Sequence, residues 1–467
     1  MLRISLLVFT LSLNVLISQN IDGTLIDIIR YSSDNKIVNT RSAGLGFSYM
    51  GILNDVAAVH YNPAGLSLNN KSEISFGYNF NNNSRNSEYL NNSINANENN
   101  FNLTNISISS PVRANYQNRD LYYIGISYSN SLNYDQLTRA EGFNPVNSYI
   151  KSESGVRRQW TERTKLSQNG ITNISDSLYQ DFNRNESGLN HDLTFALASE
   201  YYDGFSFGGS INFSFGNYNY SRILKEVDTE QVYQEKLEQP PYLDFNNLLH
   251  TLQYEQDYTS ISFNLGALYT FDNYRFSLNV RTPATIRIEE NFYEEALVEF
   301  DDNSRAYYDN LASNNTTLLE AILPWSIAIG SSYNSEELTI STAFQYKYYP
   351  HIQFLDHQSE YLNSLNESMS LNLDGNMKLG VGAEYQIPFT IIQLRIGTTF
   401  ETSPIANDNS ISILYSGGMG LFLFETLRID GFVQFIDTDT ELQIYDSQVL
   451  KTNNKLFRLG LGITYRY

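Results

Sequence analysis

The chain contains no cysteine, which rules out disulfides, thiolate-bound zinc, thiol catalysis and a lipidated N-terminal cysteine together. Histidine is nearly as scarce: His60, His191, His250, His351 and His357 are the five. None stands beside a serine and an acid as a triad would, and no HExxH, GxSxG or P-loop signature occurs, so the residues point away from an enzyme. Charged residues make up only 17%, and they lean acidic, with a formal net charge of −21. That balance leaves no basic surface for phosphates and excludes a nucleic-acid partner. Long apolar runs are missing as well. Residues 4–17, behind Arg3, come nearest; the run is too short for a transmembrane helix and has the length of a signal-peptide core. We expect residues 1–18 to be a signal peptide cleaved after Ser18, a retained anchor helix being the alternative.

What the chain has in abundance is aromatic side chains, 35 Tyr and 27 Phe, combined with a mean hydropathy of −0.35. Apolar and polar residues must therefore be interleaved, as in a barrel wall with lipid on one face and water on the other. From about residue 71 the interleaving is a strict alternation of period 2, the mark of a strand with one apolar face. In the last segment Phe457, Leu459, Leu461, Ile463, Tyr465 and Tyr467 share one face, and Arg458, Gly460, Gly462, Thr464 and Arg466 the other. Ending on such a strand with an aromatic resembles the signal read by the outer-membrane barrel-assembly machinery. Similar runs lie near 72–80, 101–109, 121–130, 192–202, 205–216, 258–271, 274–281, 324–333, 337–348, 376–386, 390–400, 411–424 and 427–437, fourteen with the last. In 101–109 the apolar parity changes between Leu103 and Ile106, which suggests a bulge or a shorter strand.

The connections alternate in length. Asp203-Gly204, Asp272-Asn273, Asn334 to Glu336, Ile387-Pro388 and Glu425-Thr426 read as tight turns, whereas 131–191, 217–257, 282–323, 349–375, 401–410 and 438–455 read as long links. Short periplasmic turns alternating with long extracellular loops define a bacterial outer-membrane barrel. The fold class expected is therefore an all-β, antiparallel transmembrane barrel of about fourteen strands over residues 71–467, monomeric and embedded in outer-membrane lipid. The Asn-, Ser- and acid-rich links, including Asn81 to Asn100, should be solvated and partly mobile.

Between the signal and the first strand, residues 42–80 read SAGLGFSYMGILNDVAAVHYNPAGLSLNNKSEISFGYNF. Pro63 should force Asn62 into an extended conformation, and Gly65 should permit a left-handed turn. This block, with Asn62-Pro63-Ala64-Gly65 leading into the first strand, resembles the hallmark of the FadL/TodX family of outer-membrane transporters. Leu323 to Tyr346 and Met377 to Pro404 resemble two further family blocks, and Arg281-Thr282-Pro283 fits a related strand end. The resemblance implies an N-terminal hatch, here residues 19–70, plugging the lumen. It implies passive uptake of long-chain fatty acids or aromatic hydrocarbons, without cofactor, and release through a lateral gap made by a kink in the third strand, the one containing Gly125. A rival reading is a cargo-shuttle or scaffold barrel of a type IX-like secretion system.

Taking the polar parity of each strand as lumenal gives Arg275, Arg281, Lys378, Arg395, Arg428, Arg458 and Arg466 against Glu73, Glu384 and Asp430. The inner wall of an acidic protein is thus net basic. Either some of these cations, with Arg281, Lys378 and Arg395 the candidates, hold the carboxylate of an amphipathic ligand, or they neutralise hatch acids such as Asp22, Asp27, Asp34 and Asp55. No metal site is expected; His351 with Asp356 and His357, and Asp301-Asp302 with Glu299, read as solvated loop residues.

Overall fold

The computed structural model describes residues 28–33, 36–113, 121–156, 158–235, 237–310, 316–355, 360–424, 426–445 and 448–467. The expected signal peptide, Asp22, Asp27, Asp34, Asp356 and His357 lie outside the described residues. Fourteen wall strands follow one another: Glu73–Tyr89, Asn92–Arg113, Leu121–Asn133, Leu178–Tyr202, Phe205–Val227, Phe245–Phe271, Tyr274–Arg281, Ser326–Asn334, Leu338–Tyr348, Gly375–Gln386, Ile392–Thr402, Ile411–Leu423, Leu427–Tyr445 and Gln448–Arg466. Each pairs antiparallel with the next, and the last closes on the first with Arg466 opposite Glu73.

Alternation sets which face meets lipid. Ile74, Phe76 and Tyr78 are each at least 40% exposed, while Glu73, Ser75 and Asn79 between them are at most 5% exposed. In a soluble protein this burial would be inside out. Around a filled lumen in a bilayer it is the stable arrangement, because the apolar face lies in hydrocarbon and the polar face bonds to the plug. Asp203-Gly204 and Asp272-Asn273 are tight turns, with positive φ at Gly204 and Asp272. The parity break in the second strand is a bulge: Gly77 faces Asn105 but Tyr78 faces Leu103, so Thr104 is the extra residue.

The links differ from expectation in one respect. Residues 81–100 and most of 438–455 continue the strands, and Phe245–Phe271 runs for 27 residues, although about 9–11 span a bilayer. The surplus projects on the side away from the tight turns. There Ala284–Phe300 extends the wall between the sixth strand and Thr316–Leu323, and described parts of the links pack into an ordered cap: Tyr149, Trp160, Leu178, Phe245 and Val298 share one apolar core, with Trp160 fully buried.

The wall parts between the second and third strands. Pairing of the second strand with the third ends at Asn105 opposite Ser129. Above it, Asn92–Leu103 keeps only the first strand as partner, while Gln136–Asn144 follows the fourth strand and passes under the first hairpin, where Arg85 Nη1 donates to Thr138 Oγ1 at 2.5 Å. Gly125 itself is paired on both sides, with Ser109 and Ala196. The departure of the third strand therefore falls at Asn130 to Asn133, above the expected Gly125.

Candidate functional site: the hatch and the lumen

The N-terminal segment fills the lumen with short helical pieces: Thr40–Leu45, Gly46–Gly51, Ala58–Tyr61 and Pro63–Leu68. Apolar burial drives the seating, since Leu45, Tyr49, Leu53, Val56 and Ala58 are almost wholly buried against Tyr123, Leu268 and Ala328 of the wall. Asn62 is extended, as Pro63 requires. Its side chain accepts from Ala64 N at 3.1 Å and donates to the carbonyls of Leu278 and Ala267 at 3.0 and 3.2 Å, fastening the motif to the sixth and seventh strands. Gly65 does not take the left-handed conformation expected of it; it lies within the helical turn Pro63–Leu68. Its need is close approach, because a Cβ there would stand 2.6 Å from Leu53 Cβ. The wall makes the reciprocal concession at Gly208, where a Cβ would stand 2.5 Å from Ala64 N.

Charge completes the seating. Arg41 donates to Glu384 Oε1 and Oε2 at 2.6 and 2.9 Å and to Asp55 at 3.0 Å. Arg395 reaches Glu384 and Asp430, both at 2.7 Å. Arg428 bonds Asp430 at 2.7 Å and Asp55 at 3.4 Å. Beside them Arg466 pairs with Glu73 at 2.6 Å, and Glu73 also accepts from Val56 N. Four arginines thus meet four carboxylates, one of each from the hatch. Asp55 behaves as the expected hatch acid, whereas the hatch cation Arg41 was not among the expected groups. The one sequence signal for it was a lumenal Glu384 in need of a partner.

A second set of bonds holds the segment's first described turn. Glu186 receives Arg30 at 2.9 Å, Arg184 at 2.8 Å and the Tyr218 hydroxyl at 2.6 Å. Lys36 pairs with Asp192 at 2.8 Å, and Lys347 donates to Ser32 O at 2.6 Å. A cleft of about 40 Å³, lined by Tyr31, Lys36, Ser262, Arg281 and Lys347, opens beside this turn; it has room for a few waters.

The three candidate cations are therefore not gathered together. Arg281 lines the cleft and donates to Asn264 at 3.0 Å. Lys378 pairs with Glu401 at 3.1 Å, its ammonium 5.8 Å from the centre of the Phe47 ring. Arg395 sits in the buried charge network. Among the described residues no group of His, Cys, Asp and Glu could hold a metal ion.

A closed, lipid-facing β-barrel whose lumen is occupied by its own N-terminal segment defines an outer-membrane channel protein of the plugged kind. The profile of the outer membrane protein transport family (OMPP1/FadL/TodX) matches residues 168–462, more than half of the sequence, and the chain belongs to that family. Its fold is similar to that of a Pseudomonas aeruginosa FadL homologue (14% identity, 92% of this chain and 98% of that one, TM-score 0.56). Similar too are the P. putida toluene transporter TodX (10%, 88% and 94%, 0.53) and the Ralstonia pickettii toluene transporter TbuX (14%, 93% and 99%, 0.53). No curated protein matches by sequence. The chain is a hydrophobic-compound transporter-type protein of the outer membrane.

Proposed function

We propose that the barrel admits hydrophobic and amphipathic molecules, long-chain fatty acids or aromatic hydrocarbons, by passive movement past a hatch that must shift to let them through. The observation that carries this reading is the cleft beside Tyr31. There Lys36, Arg281 and Lys347 approach one another from the hatch and from two wall strands, a setting in which a carboxylate head would gain charge-assisted hydrogen bonds. In this division of labour Arg281 contacts the head, Lys378 stands by at the neighbouring wall, and Arg395 keeps the hatch docked. The cleft is too small for an acyl chain, so the turn bearing Tyr31 has to move as ligand enters.

The absence of native cysteine makes the test direct. A Cβ at Gly382 would lie 3.2 Å from Ser48 Cβ, a few tenths of an ångström inside disulfide spacing. A Ser48→Cys/Gly382→Cys barrel reconstituted in liposomes should take up oleate when reduced and stop when oxidised. Equal uptake in both redox states would sink hatch gating.

A further inference from the structure

On the far side of the lumen from that cleft, the thirteenth and fourteenth strands carry a cation with a different environment. Arg458 Nε is shielded from solvent and meets no acceptor among the described residues. Its Nη1 donates to Gln434 Oε1 at a long 3.5 Å, and Gln434 is itself tied to the hatch through Ala43 O at 2.8 Å. No described carboxylate pairs with Arg458, unlike Arg41, Arg395, Arg428 and Arg466. A buried guanidinium donor left empty costs free energy that is recovered when an anion arrives.

The positions next to it break the polar rule of the lumen. Leu414 is opposite Ile436, and Ile436 is opposite Leu456, so the three lie side by side across adjacent strands, about 5 Å apart. Their sequence neighbours Tyr415, Phe435 and Phe457 are the lipid-exposed ones, which sets this trio on the lumenal face. All three are half-buried, as is Arg458. Arg458 is two residues from Leu456 on the same face, about 7 Å along the strand. An apolar row ending at a cation with an empty donor has the polarity of an amphiphile with an anionic head.

We propose that Arg458 with Leu414, Ile436 and Leu456 forms a second station for carboxylate-bearing amphiphiles, separate from the Lys36, Arg281 and Lys347 cleft. It rests on the uptake reading above and adds a binding site to it. The acyl chain lies along the three apolar side chains and the carboxylate accepts from Arg458 Nε.

The full barrel is incubated with a long-chain fatty acid carrying a photoreactive diazirine in its chain, irradiated, and the labelled peptides are mapped by mass spectrometry. Label is expected on lumenal residues of 411–423, 427–445 and 448–466 as well as at the cleft. Arg458→Gln should lower the strand label about ten-fold, the range for a hydrogen bond to a charged group, and leave the cleft label intact. Arg458→Lys should keep most of it, and the methyl ester should label these strands weakly in the unaltered protein. Label at the cleft with none on these strands, or strand label unchanged in Arg458→Gln, overturns the second station alone. Label nowhere in the lumen overturns the uptake reading with it.

Discussion

The hatch seat and the cap above it treat buried charge in different ways. At hatch height Arg41, Arg395, Arg428 and Arg466 are matched by Asp55, Glu73, Glu384 and Asp430. Higher up, Glu226 is wholly buried and is held by neutral donors only: Tyr149 N at 2.7 Å, Ile150 N at 3.2 Å and Gln180 Nε2 at 2.6 Å. Arg85 likewise bonds Asn454 and Thr138 rather than an acid. A neutralised network keeps its geometry over a wide pH range and suits a part that is docked while the channel is at rest. A lone buried charge is responsive to its surroundings. The difference teaches that stability is concentrated where the hatch meets the wall, and sensitivity where the cap covers the entrance.

The sharpest way to break this contrast is at Arg395. Arg395→Met strands Glu384 and Asp430 with one cation fewer in a buried setting, and removing one partner of a buried pair costs about 3–5 kcal/mol. Heat unfolding of the detergent-solubilised barrel should shift accordingly, and channel conductance should rise as the hatch loosens. Adding Glu384→Gln and Asp430→Asn should recover part of the loss. An unchanged melting temperature for Arg395→Met would mean the network does not hold the hatch.

A smaller effect belongs to the cap. Burial pushes the Glu226 carboxyl up to about 7, against the opposing pull of its bonds from Tyr149 N, Gln180 and Ile150 N. The folded protein therefore prefers the protonated form more than the unfolded chain does, whose value is near the ordinary 4.5. The contribution is complete below about pH 4.5, is lost as pH rises toward 7, and is flat above; its full size is on the order of 3 kcal/mol. With Trp325 replaced by Phe, Trp160 fluorescence reports on the cap alone, and its unfolding midpoint should fall between pH 5 and pH 7.5. Glu226→Gln keeps an oxygen for Tyr149 N and Gln180 and should erase that slope. A slope that survives in the variant would assign it to another group.

The same division explains what could be read from the residues. Within the bilayer one face is apolar, so alternation marks the strands, and the sets around 72–80, 205–216 and 457–467 were legible. Above the bilayer the outer face of the wall meets water and the inner face carries mostly polar residues turned toward the cap, so the apolar alternation vanishes, and residues 81–100 and most of 438–455 read as loops although the backbone ladder continues along them. Lumenal cations were legible by parity, but their partners were not. Arg395 and Arg458 have the same parity and residue type; the register of the tenth and eleventh strands sets Glu384 directly opposite Arg395, Asp430 reaches it from two strands away, and neither acid comes to Arg458. Gly65 was legible as necessary for the wrong reason, since close approach to Leu53 depends on how the hatch folds back on itself.

The smallest effect tests whether the upper wall is held by its backbone or by its side chains. Along the first hairpin, asparagine amides bond across the strands: Asn82 Nδ2 donates to Asn99 Oδ1 at 2.7 Å on the exposed face, and Asn81 to Asn100 at 2.9 Å on the lumenal one. An exposed cross-strand pair contributes roughly 0.2–1 kcal/mol, because water competes for both groups and the ladder beneath remains intact. Asn82→Ala should therefore leave the melting temperature of the barrel nearly unchanged, while amide exchange at residues 83–99 stays as slow as in the unaltered chain. Fast exchange across the hairpin in Asn82→Ala would show that side-chain amides, rather than the ladder, keep this storey upright. The contrast between a bolted lower storey and a lightly held upper one would then widen to include the strands themselves.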